Sequence, residues 1–415
     1  MSPRGPLGER NFRLLVGCDV TSMVGTAMAI VAVPFAVLHS GGTASDIGFV
    51  TAAGLVPTIV FLLFGGVIAD RLPRQRVMAV ANVLQGASQG VFGFLVLTGQ
   101  ARVWEMMFLT AARGCAFGFY MPAAQGLLPQ TVVPENLASA NAVRRLGLNG
   151  AQIAGAALGG LVVAAVGPGW GLIADAASYG AAAVMRLGMR FTNLPPITRV
   201  GILPELLAGW HAFTSRRWLW VIVVEFGLVN AMYVGAFSVL GPVVAEEHLG
   251  GAWSWGLIVA AQSIGAVIGA AVMVRWRPIR LLRAGNLAVA AIALPLVGLA
   301  VPLALPLIAV GALLSGIGIE TFEVNWTTAI QEHVPTEMLS RVSAYDALGS
   351  YALSPVGTTV AGPVAAALGT PVTLAGAAVV IVVSTAIALC VPDVRRLSRR
   401  ARQQRSPAST EPATT

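Results

Sequence analysis

Long apolar stretches alternate with short breaks rich in glycine, proline or arginine along most of the chain. A helix needs about 20 apolar residues to cross a hydrocarbon core roughly 30 Å thick. The pattern therefore predicts twelve membrane-spanning helices. In the first half they cover 12–38, 46–69, 76–98, 104–127, 141–166 and 169–189. In the second half they cover 218–241, 254–275, 280–300, 304–330, 341–367 and 370–391.

Two other segments break this pattern, one between the halves and one at the end of the chain. Apolar residues recur at helical spacing within 191–217, which predicts an amphipathic helix on the membrane surface, with a plain tether as the alternative. These residues are Ile202, Leu203, Leu206, Leu207, Trp210 and Phe213. From 393 onward the chain is rich in Arg, Ser, Pro and Thr, which predicts disorder. The predicted domains are 1–190, a linker at 191–217, 218–392 and a tail at 393–415.

The two predicted halves are related in sequence. A shift of 202 places Gly160 and Gly167 on Gly362 and Gly369. Shifts of 201 to 206 match further residues in the same order, among them Asp19 with Glu225, Gly65 with Gly269, Arg71 with Arg275, and Gln130 with Gln331. An ordered series of matches at a nearly constant shift predicts a duplicated six-helix unit in parallel orientation, which is an architecture of secondary transporters.

Composition narrows the class of protein further. Of the 415 residues, 56% are hydrophobic and 11% are charged. A soluble domain carries about 25% charged residues. These figures exclude an ordinary soluble enzyme, a disordered protein and a disulfide scaffold. The fold class that remains is an all-α integral membrane protein, with twelve helices in two pseudo-symmetric six-helix bundles.

The net charge of +8 comes entirely from arginine on the basic side, since the chain contains no lysine. Of the 26 arginines, 24 lie in or beside alternate breaks, and only Arg102 and Arg113 fall elsewhere. This alternation predicts that both termini lie in the cytoplasm. The basic residues would then face anionic lipid of the inner leaflet and not nucleic acid. We expect a multi-pass protein of the cytoplasmic membrane.

The break after the second apolar run carries a recognisable motif. It reads Gly65-Gly66-Val67-Ile68-Ala69-Asp70-Arg71-Leu72-Pro73-Arg74. This resembles the major facilitator signature after helix 2, G-x-x-x-D-R-x-x-R. The resemblance implies that Gly65, Asp70, Arg71 and Arg74 form a conformational latch between the halves. The alternative is a solvated loop that only sets topology.

Residues 10–392 are similar to one branch of that superfamily, the drug:proton antiporters related to macrolide efflux and enterobactin export proteins. Short segments carry this resemblance, including Arg113-Gly114, Pro122-Ala123, Leu128-Pro129, Val133-Pro134-Glu135, Ala140-Asn141-Ala142 and Asp175-Ala176. The sequence departs from the branch at two places. The helix-5 motif, with Gly155, Gly159 and Gly160, lacks its proline, and Gly25-Thr26 replaces a Gly-Asp pair in helix 1.

Charged residues inside the predicted spans are the candidates for proton or substrate handling. Each costs roughly 3 kcal/mol or more to insert, so each needs a reason. The candidates are Asp19, Arg113, Glu225, Glu320 and Glu323. Burial disfavours an ionised carboxylate, so such a group can carry a proton. Arg113 is a permanent cation that can pair with an acid or hold an anionic substrate.

Polar stripes and aromatic residues on other helices have weaker claims. Helix 5 carries Asn141, Arg145, Asn149 and Gln152, and helix 11 carries Ser343, Asp346, Ser350 and Ser354, for which we favour helix–helix contacts. Candidate cavity-wall aromatics are Phe117, Tyr120, Tyr233, Phe237, Phe322 and Trp326. Lipid-facing or packing positions are the commoner case for such residues.

The sequence predicts a secondary transporter that exports an amphipathic small molecule against protons by alternating access. No P-loop is present, and we expect no enzyme activity, no cofactor and no metal site. The expected partners are a small-molecule substrate, protons and membrane lipid, with the protein a monomer. Two alternatives remain open: a proton-coupled importer of a small nutrient, and a non-transporting membrane sensor or lipid-handling protein.

Overall fold

The computed structural model describes residues 6–189, 210–211, 213–335 and 338–399. Side chains are described for these residues except at 63–71, 125–126, 134, 138 and 340–341. Within these ranges the chain is almost entirely helical, and no strand occurs apart from an isolated β-bridge between Arg280 and Ser398.

Twelve long helical spans follow one another in the described chain. The first half contains α1 Arg10–His39, α2 Ala44–Arg71, α3 Arg74–Leu97, α4 Val103–Leu127, α5 Leu137–Val166 and α6 Pro168–Leu187. The second contains α7 Arg217–His248, α8 Ala252–Arg275, α9 Leu281–Ala300, α10 Leu305–His333, α11 in two segments, Leu339–Tyr351 and Ser354–Leu368, and α12 Thr370–Cys390. A short helix, α13 Pro392–Arg396, follows.

Ten of the spans are both long and apolar enough to cross a membrane. The other two, α4 and α6, have 25 and 20 residues, and at about 1.5 Å per residue each reaches across the hydrocarbon core. The predicted all-α membrane fold is therefore confirmed.

Two helices of the second half differ from their predicted course. The helix expected to end at 241 continues to His248, through a π-helical stretch at Val234–Leu240 that widens its middle. α11 is interrupted at 352–353, just before Pro355. A proline has no backbone N–H to donate to the preceding turn, so it begins a new helical segment more readily than it continues one.

Helices α1–α6, the N-terminal half, pack mainly on one another, and so do α7–α12, the C-terminal half. We call the end that holds the α2–α3, α4–α5, α8–α9 and α10–α11 connections the basic end.

The domain boundaries stay a prediction, because 190–209 and 212 lie outside the described residues, as do Ile202, Leu203, Leu206 and Leu207. The last linker residues pack on the C-terminal half, with the Trp210 and Phe213 rings 5.4 and 6.0 Å from that of Tyr345. Of the predicted tail, 400–415 also lie outside the described residues.

The halves meet most closely at the end opposite the basic end, where glycines let helix backbones touch. A Cβ added to Gly160 of α5 would lie 2.9 Å from the Ala252 oxygen and 3.0 Å from the Gly256 Cα, both on α8. Gly362 of α11 makes the equivalent approach to the backbone of Ser45 on α2. The sequence repeat thus corresponds to a repeated contact between the halves.

The other two glycines of the helix-5 motif serve packing inside the N-terminal half. A Cβ at Gly155 would meet the Val24 oxygen of α1, and one at Gly159 would lie 2.8 Å from the Met28 Cα. Small residues allow such close helix approach in lipid, where burial of apolar surface gives little driving force. The motif is therefore a packing surface that also contributes Gly160 to the closed end.

A bulky residue at Gly160 should disfavour this closed arrangement. We predict that Gly160→Leu destabilises it by about 1–3 kcal/mol through overpacking, which is about a 5- to 150-fold change in population. Electron-spin distance measurements between labels at Gln100 and Val301, in exposed loops of the two halves at this end, should show a longer distance. In Gly376→Leu, where an added Cβ meets nothing within 4 Å, the distance should not change. An unchanged distance in Gly160→Leu would show that this crossing does not hold the end closed.

Candidate functional site

Asp19 lies at the centre of a buried ion cluster in the N-terminal half. Its side chain is 2% exposed and accepts hydrogen bonds from Arg186 and Arg144, each at 2.7 Å. The Tyr120 hydroxyl donates to the same carboxylate at 3.0 Å and accepts from Arg186 at 2.7 Å. Two arginines and one tyrosine hydroxyl therefore hold this side chain in the interior of the N-terminal half.

The two arginines of this cluster were counted among the basic residues that mark topology. That interpretation was wrong for Arg186, whose side chain is fully buried in the last turn of α6. It was incomplete for Arg144, whose side chain projects from α5 towards Asp19 in the interior of the N-terminal half. The signal available in the sequence was that Arg186 falls inside a predicted span, at 169–189, and so needs an acidic partner.

A second buried polar cluster surrounds Asp175 of α6, which is 0% exposed. Gln89 of α3 donates to one carboxylate oxygen at 2.7 Å. Arg113 of α4 interacts through its charge with both Tyr179 and Asp175, but no ion pair within 4.0 Å joins it to Asp175. The Tyr179 hydroxyl lies 2.9 Å from that of Thr26 on α1. Sequence reasoning identified Arg113 but not Asp175 as a candidate.

Glu225 of α7 is buried, with 4% of its surface exposed. Asn286 of α9 donates to its carboxylate at 2.8 Å, and Thr385 of α12 lies beside it. No described arginine or histidine forms an ion pair with it. Glu225 and Asp19 are therefore equivalent in the repeat but not in environment, because only Asp19 has cationic partners.

The C-terminal half encloses a cavity of about 360 Å³ between α7, α9, α10 and α11. Two carboxylates, Glu323 and Asp346, line it, and the described lining residues include no basic one. Asp346 accepts hydrogen bonds from the Trp326 indole at 2.9 Å and from Ser350 at 3.3 Å. The polar stripe of α11 thus faces a cavity at Asp346 and Ser350, where helix–helix contact was expected.

Aromatic rings form much of the wall of this cavity. Phe226 stacks on Phe322 with 3.9 Å between ring centroids, and Phe322 in turn stacks on Trp326 at 6.0 Å. Tyr233 and Tyr351 also line the space. Of the predicted wall residues, Phe237 is the exception in this half, because it packs against Trp255 of α8 at 4.8 Å. The combination is a flat apolar surface with two acidic groups at its edge.

Two further cavities lie in the N-terminal half. One, of about 360 Å³, is lined by Arg113, Phe117 and several hydroxyl-bearing residues, and it includes Ser238 of α7. The other, of about 310 Å³, is lined by Asp19, Tyr120 and Tyr179 among others. Thr26 and Phe117 line both. The predicted aromatics Phe117 and Tyr120 are thus cavity residues here.

An ion pair joins the two halves between the cavities and the basic end. Arg145 of α5 donates to Glu320 of α10 at 2.6 Å, with the arginine side chain 61% exposed and the glutamate 13% exposed. Glu323, one turn further along α10, is close enough to both residues for their charges to act on it. Glu320 therefore does not face the cavity as a free acid, since its partner comes from the opposite half.

The latch motif lies where α2 ends and α3 begins. Gly65, Asp70 and Arg71 are in the last turns of α2, and their side chains lie outside the described atoms. Arg74 is the first residue of α3 and is partly buried. The latch role of these residues stays a prediction.

Comparison with known proteins places this architecture in a family. A family model described as "Transmembrane secretion effector", of the major facilitator superfamily, matches residues 1–412. The chain belongs to this family of major facilitator transporters. The resemblance drawn from the motif after α2 is therefore confirmed, and the protein is a transporter and not an enzyme.

Relatives with assigned functions are efflux proteins. The chain is 25% identical over 371 residues to the multidrug efflux pump Tap of Mycolicibacterium fortuitum, covering 86% of this chain and 88% of Tap. It is 28% identical over 264 residues to the enterobactin exporter EntS of Escherichia coli O1:K1 / APEC, covering 62% of each. A solved peptide transporter, POT, shares the fold with a TM-score of 0.74 at 13% identity, covering 94% of this chain and 96% of POT. Both of these relatives are named for export, and the solved transporter shares the fold.

The paired state of Asp19 gives a stability prediction. Asp19→Asn leaves two cations without their acid, and breaking a buried pair costs about 3–5 kcal/mol. Arg186→Gln removes one of those cations, so the double variant should lose less than the sum of the single losses. Thermal unfolding of the purified protein in detergent measures all three variants. Strictly additive losses would contradict the direct pairing of Asp19 with Arg186.

Proposed function

We propose that this transporter exports an amphipathic organic cation in exchange for protons. The observation that carries the proposal is the cavity of the C-terminal half, where Glu323 and Asp346 stand at the edge of stacked aromatic rings. Aromatic faces attract cations as well as apolar groups. Most ligand sites combine an apolar wall with a few charged or polar groups in this way.

Charge complementarity supports a cation over an anion as the substrate. The described lining of this cavity carries two acids and no base, while Arg145 of the opposite half is already bonded to Glu320. An anionic substrate would have to approach Glu323 and Asp346 with no cation of the cavity wall to offset the repulsion. A cationic substrate pairs with the same two groups.

The charge pattern and the closed end support uptake of the substrate from the cytoplasm. If the arginine-rich breaks lie in the cytoplasm, as the positive-inside rule predicts, both termini are cytoplasmic. The halves close at the opposite end through Gly160, Gly256 and Gly362, so the cavity faces the cytoplasm. This is the state in which an exporter of the cytoplasmic membrane takes up its substrate.

Alternating access would then move the closed contacts from one end to the other. The Arg145–Glu320 pair and the latch of Gly65, Asp70, Arg71 and Arg74 lie towards the end that must close when the cavity turns outward. Protons can compete with the cation for the cavity carboxylates, and an acid that binds one or the other exchanges them. Glu225, also buried in this half, has no cationic partner to hold its charge, and we keep it in the proposal as a proton carrier.

The relatives' printed functions support export and broad substrate choice. Tap is named a multidrug efflux pump, and EntS an exporter of enterobactin. Neither name indicates a nutrient importer or a membrane sensor, the two alternatives from the sequence. We propose that the protein works as a monomer surrounded by membrane lipid.

Transport in everted membrane vesicles tests the proposal. Vesicles that contain the protein should accumulate tetraphenylphosphonium when their interior is made acidic, and collapse of the gradient should release it. Vesicles without the protein provide the baseline. Accumulation only under the opposite gradient would indicate an importer, and no movement of this or any tested cation would contradict the proposal.

The cavity acids give a specific mutational prediction. Loss of one charged contact to the cation should weaken binding by about 1.5–3 kcal/mol, which is about 10- to 100-fold in Kd. We expect this for Glu323→Gln and for Asp346→Asn, measured by equilibrium binding of tetraphenylphosphonium to the purified protein. Glu247→Gln, at an exposed position in the last turn of α7, is the matched control and should bind normally. Unchanged affinity in both cavity variants would place the cation elsewhere.

A further inference from the structure

The buried carboxylate of Asp175 has one oxygen without a hydrogen-bond partner in the described part of the chain, and neither helix packing nor the cation site explains this. One of its oxygens accepts the Gln89 hydrogen bond, while the other is buried without a hydrogen-bond partner among the described residues. A buried polar atom without a partner costs about 1–3 kcal/mol, and more when it is charged. The free oxygen is therefore either strained or the place of a proton.

Among the described residues that face Asp175 from neighbouring helices, one is charged. α1 contributes Gly25, where an added Cβ would lie 2.7 Å from the free oxygen, and α3 contributes the neutral Gln89. α4 contributes Arg113, which acts on Asp175 through its charge without forming a close ion pair. On α6 itself, Tyr179 stands one turn further along. Asp175 thus has one cation within influence and none in contact.

Asp19 provides the contrast within the same half. The Asp19 carboxylate forms ion pairs at 2.7 Å with Arg186, which is fully buried, and with Arg144, which is 24% exposed. A neutral group at position 19 would break both pairs. Asp175 has no ion pair within 4.0 Å to lose among the described residues, because Arg113 acts on it only through its charge.

A chain of polar groups connects Asp175 to the cavities of the N-terminal half. Arg113 lines the larger cavity, Tyr179 lines the smaller one, and Thr26, bonded to Tyr179, lines both.

We propose that Asp175 is the proton-binding group of the N-terminal half, and that Arg113, Tyr179 and Thr26 form its connection to the cavity. In the step that accompanies substrate binding, the O–H bond of the Asp175 carboxyl group breaks and the proton passes to water in the cavity. The carboxylate that remains pairs with Arg113. A cation that enters the bundle favours this release, because in a medium of low dielectric constant its positive charge stabilises the ionised Asp175 carboxylate relative to the protonated group.

Proton release on cation binding tests this inference, which rests on the proposed function. Tetraphenylphosphonium is added to the purified protein in weakly buffered detergent solution with a pH indicator, and bound cation is measured in parallel. Asp175→Asn, a neutral isostere, should release about one proton fewer per cation bound, and by linkage its Kd for the cation should rise about tenfold at a pH where the unaltered protein releases that proton. The exposed Asp393→Asn is the matched control and should release the full number.

The outcomes separate the two proposals. If the unaltered protein binds no cation, the proposed function fails. If it binds and releases protons, and Asp175→Asn releases as many, only the role of Asp175 is overturned. If Asp175→Asn does not fold, Tyr179→Phe keeps the ring and removes the hydroxyl, and it should shift the pH profile of cation-driven proton release. An unmoved profile in Tyr179→Phe then overturns the inference.

Discussion

The requirement that each charge inside the membrane must find a partner determines most of what this protein can do. In the N-terminal half Asp19 meets the requirement with two arginines of the same half, while Arg113 and Asp175 interact through their charges without a close ion pair. In the C-terminal half it is met only in part, because Glu323 and Asp346 lie at the surface of a cavity with no base in its described lining. The charge deficit of that cavity is what a cationic substrate would supply. The unpaired acids of the C-terminal half would thus attract a cationic substrate.

The pairing across the halves links binding to movement. Glu320 belongs to the C-terminal half but is held by Arg145 of the N-terminal half, one turn from Glu323. A cation that pairs with Glu323 offsets part of the negative charge that also attracts Arg145. Cation binding and the Arg145–Glu320 contact between the halves would therefore be energetically coupled. At the opposite end, the contacts of Gly160 and Gly362 depend on backbone approach and carry no charge. One end is therefore sensitive to substrate charge and the other to packing.

Much of the fold was predictable from the sequence because membrane insertion imposes long apolar stretches at a fixed length. The predicted spans agree with the observed helices within a few residues at most ends, and the repeat of Gly160 and Gly362 identified a contact that occurs twice. The continuation of α7 through a π-helical stretch was not predictable from apolar periodicity. The site was predicted less well: the sequence indicated which charges lie in the membrane, but not which of them meet. Arg186 was counted as a topology residue, and Asp175 was noted only for its resemblance to the transporter branch and not as a site residue. Pairing depends on helix rotation, which a periodic apolar pattern does not fix.

The central claim is that the substrate is a cation bound in the acidic and aromatic cavity of the C-terminal half. An experimental structure of the protein with tetraphenylphosphonium tests this most directly. The account predicts the cation between Phe322, Trp326 and Glu323, with its charge towards Asp346. Density for the cation beside Arg113 in the N-terminal half, with the C-terminal cavity empty, would contradict it.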